Sequence, residues 1–189
     1  MIPWEKFPWQ ASIIHFARSL GALHLRDVNT AKKELENLKS LYDKLAKQID
    51  EKQEAAQVAI QVKTVEAWIE YNERNNEKAL QLMKEAADME DATEKHPVTP
   101  GEVVPARELY GEMLFEMNKP ALALENFELD LKTHNNRFNG LYNAAIAAEK
   151  AGNKEKATLY FKKLVEISDS KNCKRTELDQ ARSFLSANL

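Results

Sequence analysis

Asp88, Glu90, Asp91, Glu94 and His96 crowd one short stretch of the chain. Carboxylates and an imidazole at that density could hold a divalent cation. Their spacing matches no dedicated site, such as a calcium loop with its fixed glycine, so metal binding is not expected. His96 lies close to Thr99, but the pair reads as a hydrogen-bonded feature of a loop, not as a base and a nucleophile. The other histidines, His15, His24 and His134, are scattered. No HExxH, GxSxG, Walker loop, GxGxxG or CxxC occurs. The single cysteine, Cys173, excludes internal disulfides and zinc sites built on several thiolates. The chain therefore reads as a non-enzyme that needs no cofactor.

The elements that carry these residues are helical. Gly (5) and Pro (6) are sparse in 189 residues, and neither occurs between Gly21 and Pro97. A sheet protein needs turn residues far more often. Net charge is −3 and the pI is near 5.9, which argues against a general phosphate-backbone binder. No apolar run is long enough for a transmembrane helix. Met1-Ile2-Pro3-Trp4 opens no secretory signal.

Apolar residues recur at helical spacing along the whole chain. A first helix is expected over Gln10–Leu25. A second begins at Ala31, capped by Asn29 or Thr30, and runs past Leu45 towards Gln53. A third covers 54–74, and a fourth starts after Asn75-Asn76. The segment 91–104, with two prolines and a glycine, reads as an insert. Helices follow over 105–117, 121–132, 137–151 and 154–167, and a last one over 176–186 forms a polar-faced cap. Trp4, Phe7 and Trp9 are expected to pack on the first helix pair; the alternative is that they meet a preceding repeat or a second copy.

Residues 105–165 match themselves at an offset of 34. Gly111 falls on Ala145, Ala123 on Ala157 and Phe127 on Phe161. Small residues at close-contact points with a late aromatic are the tetratricopeptide pattern. The clean units are 104–137 and 138–171. Weaker ones are 12–45, where Arg18 takes an apolar place, and 60–93. Read this way, 1–189 is one domain of about four TPR-like helical hairpins with a capping helix at 176–189.

The runs EKHPVTPGEVVPARELYGEMLFE and HNNRFNGLYNAAIAAEKAG, with ARSLGALHLRD upstream, resemble the C-terminal region of a family of uncharacterised bacterial tetratricopeptide proteins. The resemblance covers almost all of the chain. It implies an all-α, right-handed superhelix with a concave face, a bacterial origin, and a chain that is the C-terminal piece of a longer protein. It supplies no activity.

In such a superhelix the first helix of each pair lines the groove. The implied lining is Phe16, Leu20, Thr64, Trp68, Tyr71, Glu108, Glu112, Phe115, Asn139, Tyr142, Asn143 and Glu149. Aromatics give contact area at low entropy cost, and carboxylates attract basic segments. Carboxylate-clamp repeats need Lys and Arg at the starts of first helices, where this chain has Gln61 and Pro105. Charge is uneven: Glu85–Asp130 holds twelve acids against three bases, and Lys154–Arg175 seven bases against three acids. The expected function is a scaffold that binds a protein or peptide partner in the groove. The alternative is a structural part of a larger solenoid, with self-association through residues 1–10.

Overall fold

A computed structural model describes residues 4–93, 102–168 and 174–188. Those residues form helices and turns, with no strand. The helices are α1 (Pro8–His24), α2 (Val28–Leu45), α3 (Lys52–Asn72), α4 (Asn76–Asp91), α5 (Ala106–Glu116), α6 (Pro120–Thr133), α7 (Phe138–Lys150), α8 (Lys154–Ile167) and α9 (Thr176–Asn188). Short 3₁₀ turns precede α1 and α3. The chain divides into two compact units, Met1–Ala106 and Arg107–Leu189. The division falls just after the stretch where the period breaks. The insert expected at 91–104 lies mostly outside the described residues.

Four hairpins repeat one local design. The first helix of each ends in a residue with positive φ: Arg26 (61°), Arg74 (70°), Asn118 (59°) and Gly152 (77°). Each turn closes with the same pair of backbone bonds. Arg26 N donates to Leu23 O and Asp27 N to Ala22 O; Arg74 N donates to Tyr71 O and Asn75 N to Glu70 O. Asn118 and Lys119 bond Phe115 and Leu114 likewise, and Gly152 and Asn153 bond Glu149 and Ala148. These are Schellman closures, which satisfy the last carbonyls of a helix.

The same register sets the close contacts. Ser19, Ala67, Gly111 and Ala145 on the first helices are all buried, as are Ala31, Ala79, Ala123 and Ala157 on the second. At Gly111 a Cβ would lie 2.5 Å from a ring carbon of Phe127, so only glycine lets α5 and α6 approach this closely. A cross-hairpin polar contact also recurs. His15 Nδ1 meets Glu34 Oε2 at 2.5 Å, and Arg107 Nη1 donates to Asn126 Oδ1 at 3.1 Å, both nineteen residues apart.

The turns yield a prediction. A side chain at positive φ is strained by roughly 1 kcal/mol, and glycine is not. Arg74→Gly is expected to raise unfolding stability by about 0.5–1 kcal/mol, and Gly152→Ala to lower it by about 1 kcal/mol. Urea denaturation of the two variants checks both signs.

Three expectations change. The second helix stops at Leu45 instead of running towards Gln53; Gln48 is extended and Ile49–Glu51 is a 3₁₀ turn. Leu45 is the last fully buried residue before Ala55, and Ile49 is 81% exposed. The intervening residues bury nothing that would hold a helix in place. The cap of α2 is Asp27, not Asn29 or Thr30: its carboxylate accepts from Thr30 N at 3.0 Å and from Thr30 Oγ1 at 2.5 Å. Of the N-terminal aromatics, Trp9 is tied to α3, donating from Nε1 to Gln57 Oε1 at 2.8 Å. Trp4 and Phe7 stay 42% and 44% exposed.

Candidate functional site

The residues expected to line a groove divide between the two units. In the first, Phe16, Leu20, Thr64 and Trp68 are buried, Trp68 to 1% exposure. The Trp68 ring lies 5.1 Å from His24 and 5.6 Å from Tyr71. Trp68 is thus a core residue, not a groove residue, and of this set Tyr71 alone remains half-buried. Three side chains along α3 keep buried polar atoms without a hydrogen bond: Gln61 Oε1, Thr64 Oγ1 and Trp68 Nε1.

In the second unit the candidates are drawn into rungs between α5 and the start and body of α7. Arg137, the residue before α7, donates from Nε to Glu108 Oε2 at 2.8 Å and from Nη2 to Glu108 Oε1 at 3.4 Å. One turn along, Asn143 Nδ2 donates to Glu112 Oε1 at 3.1 Å. Another turn along, Lys150 Nζ sits 4.8 Å from the centre of the Phe115 ring. Glu108, Glu112 and Phe115 share one face of α5 because they recur at spacings of four and three.

Burial ranks these rungs. Glu108 is fully buried, which removes it from any exposed lining. Glu112, Phe115, Tyr142 and Asn143 are half-buried, and Asn139 is exposed. Asn139 and Tyr142 are held from the other side by the last helix and the residue before it. Arg175 Nη2 donates to Asn139 Oδ1 at 3.2 Å, and its guanidinium stacks 3.7 Å from the centre of the Phe138 ring. Tyr142 donates its hydroxyl proton to Gln180 Oε1 at 2.7 Å.

Sequence reasoning missed two members of this group, Arg137 and Asp130. Asp130 is 3% exposed; its Oδ1 lies 2.8 Å from His134 Nδ1, and its Oδ2 is buried without a hydrogen bond. A Cβ at Gly140 would lie 3.7 Å from that Oδ2, so the oxygen faces the first turn of α7. A signal was available. In the other hairpins the place of Asp130 is taken by Leu38, Ala86 and Leu164, all buried. A carboxylate at an apolar core position marks a departure from scaffold packing.

The electrostatics follow from burial and crowding. Burial and the neighbouring Glu108 push the Glu112 carboxyl up to about 7, against the weaker pull of Asn143. Burial raises Asp130 too, although His134 opposes it. Arg137 is held above its usual value by Glu108, and the charges of Asp130 and Glu112 add to this, overcoming its own desolvation.

A carboxyl raised on folding loses stability with pH in a defined window. The folded state keeps the Glu112 proton that the unfolded chain gives up near 4.5. Its contribution is therefore present below pH 4.5 and is lost as pH rises to about 7. At about 1.4 kcal/mol per unit, the loss is roughly 3 kcal/mol. Glu112→Gln is expected to match wild type at pH 4.5 and to exceed it by roughly 3 kcal/mol at pH 8. Denaturant melts of both proteins at the two pH values measure the difference.

Of the acidic group at 88–96, Glu94 and His96 lie outside the described residues. Glu90 is buried and accepts from Ala106 N at 2.6 Å. Among the described residues no group of three or more His, Cys, Asp or Glu could hold a metal ion, and no helix is long and apolar enough to cross a membrane.

Compared with known proteins, the chain matches no family model, no curated protein and no solved structure.

Proposed function

We propose that the chain is a non-enzymatic interaction scaffold. Its hairpins are TPR-like repeats of a right-handed superhelix, and the α5–α7 face of the second unit takes a segment of a protein partner. The observation that carries this reading is the repeated hairpin. Four hairpins share one turn closure and one set of buried small residues, the economy expected of a repeat array that presents successive first helices to a ligand. The α5–α7 face adds a half-buried aromatic, Phe115, beside amides and carboxylates.

The test is a peptide array probed with the purified chain, followed by titration of the retained peptides. Phe115→Ala and Asn143→Ala are expected to weaken binding at least tenfold while leaving the helical circular dichroism intact. Retained peptides that bind both variants as tightly as wild type would place the ligand elsewhere.

A second reading has one observation in its favour. Trp4 and Phe7 remain more than two-fifths exposed, as an aromatic contact surface for another copy or a larger assembly would be. Light scattering of the chain with and without residues 1–10 decides it; an unchanged monomer in both samples removes this reading.

A further inference from the structure

The carboxyls of the α5–α7 face outnumber the cations that answer them. Arg137 directs both donating nitrogens to Glu108. Glu112 takes its hydrogen bond from the neutral amide of Asn143. Asp130 shares Oδ1 with His134, while its Oδ2 is buried and unanswered. Arg137 and Glu108 both act on the Asp130 charge, so it belongs to the same electrostatic group. Glu116, one turn beyond Glu112 on α5, adds a further negative charge.

A buried oxygen without a partner is destabilising, and a buried carboxylate without a cation is more so. A hairpin that places Asp130 where its counterparts place Leu38, Ala86 and Leu164 carries that cost for no packing gain. A cation beside Glu112 offsets part of the negative charge that Glu108 and Glu116 impose there. Glu116 is open to solvent, so half-buried Glu112 is the member of the group that is both within a ligand's reach and partly withdrawn from water. Beside it, Phe115 already holds an ammonium over its ring, so the face suits cations with an alkyl stem.

We propose that the partner segment presents an arginine or lysine side chain to this face, and that Glu112 takes its cation. The inference rests on the scaffold reading above and names the ligand's chemistry. Binding is coupled to protons. Glu112 lies among Glu108 and Glu116 of α5, Asn143 of α7 and the adjoining Arg137, while α6 and the residue that caps it bring Asp130 and His134 to the Arg137 side. Part of the Glu112 population holds a proton near neutrality and releases it when a cation docks.

The experiment uses peptides retained on the array, each remade with every Arg and Lys replaced by Gln. Calorimetry is run at pH 6, 7 and 8 in buffers of different ionisation enthalpy. Wild type is expected to bind the cationic forms at least tenfold more tightly than the Gln forms. It is also expected to release protons at pH 7 and to gain affinity from pH 6 to 8. Glu112→Gln is isosteric and keeps a hydrogen bond to Asn143, so it folds, and it is expected to lose both the preference and the proton release. Binding that Phe115→Ala weakens but that ignores peptide charge and Glu112→Gln overturns this inference and leaves the scaffold standing. Absence of binding by every peptide overturns both.

Discussion

Replacing Arg137 with methionine is expected to destabilise the second unit by about 3 kcal/mol. Methionine keeps much of the apolar stem and removes the charge. Glu108 is then left fully buried without the guanidinium that pairs with it. Removing one partner of a buried pair costs about 3–5 kcal/mol because the other charge stays desolvated; Arg137 is itself 30% exposed, which favours the lower end. The loss extends beyond one rung, since Asp130 and Glu112 also feel this guanidinium. Adding Glu108→Gln to the methionine variant is expected to recover more than half of the loss, because the orphaned charge is gone. A double-mutant cycle by urea denaturation reads the coupling directly. A methionine variant within 0.5 kcal/mol of wild type would mean that solvent already answers Glu108.

The second large effect is expected at Trp68. An aromatic on a groove wall can be cut to alanine with little loss of stability. Trp68 is 1% exposed and packs on His24 and Tyr71, so Trp68→Ala is expected to cost about 3–5 kcal/mol. Phenylalanine separates volume from polarity at the same site. The indole N–H has no acceptor, so its removal forfeits no hydrogen bond and relieves an unanswered donor. Trp68→Phe is expected to cost less than about 1.5 kcal/mol, a volume loss partly repaid. Thermal and urea melts of the two variants side by side test both numbers. An alanine variant as stable as wild type would return Trp68 to the surface.

The helices were legible because each buries one stripe, and the stripe repeats at three and four residues. Small residues at Ala31, Ala79, Ala123 and Ala157 carried the hairpin register as well. What sequence could not convey is what the surroundings decide. Gly152 and Asn118 announce a left-handed turn; Arg26 and Arg74 do not, and the shared closure alone places them there. Asp27 competes with Asn29 and Thr30, which are equally good caps in isolation, and which one acts depends on where α1 ends. Periodicity put Glu108, Glu112 and Phe115 on one face of α5. It could not show that Glu108 is sealed beneath that face and Glu112 is not, since this depends on Arg137 reaching back from the next hairpin. Trp68 shows the same limit from the other side: its angular position on α3 was readable, and its cover was not.

The turn closures have a kinetic consequence. Each is made by bonds spanning three to five residues. The side-chain bond from Trp9 to Gln57 in the first unit reaches only from one hairpin to the next, and in the second unit the rung from Glu108 to Arg137 does the same. Such a unit folds without a search for distant partners. It can nucleate at whichever hairpin closes first and grow along the chain from there, which places it among the fast folders. It should also open from its outer helices inward, so amide exchange within each unit is graded along the sequence instead of all-or-none.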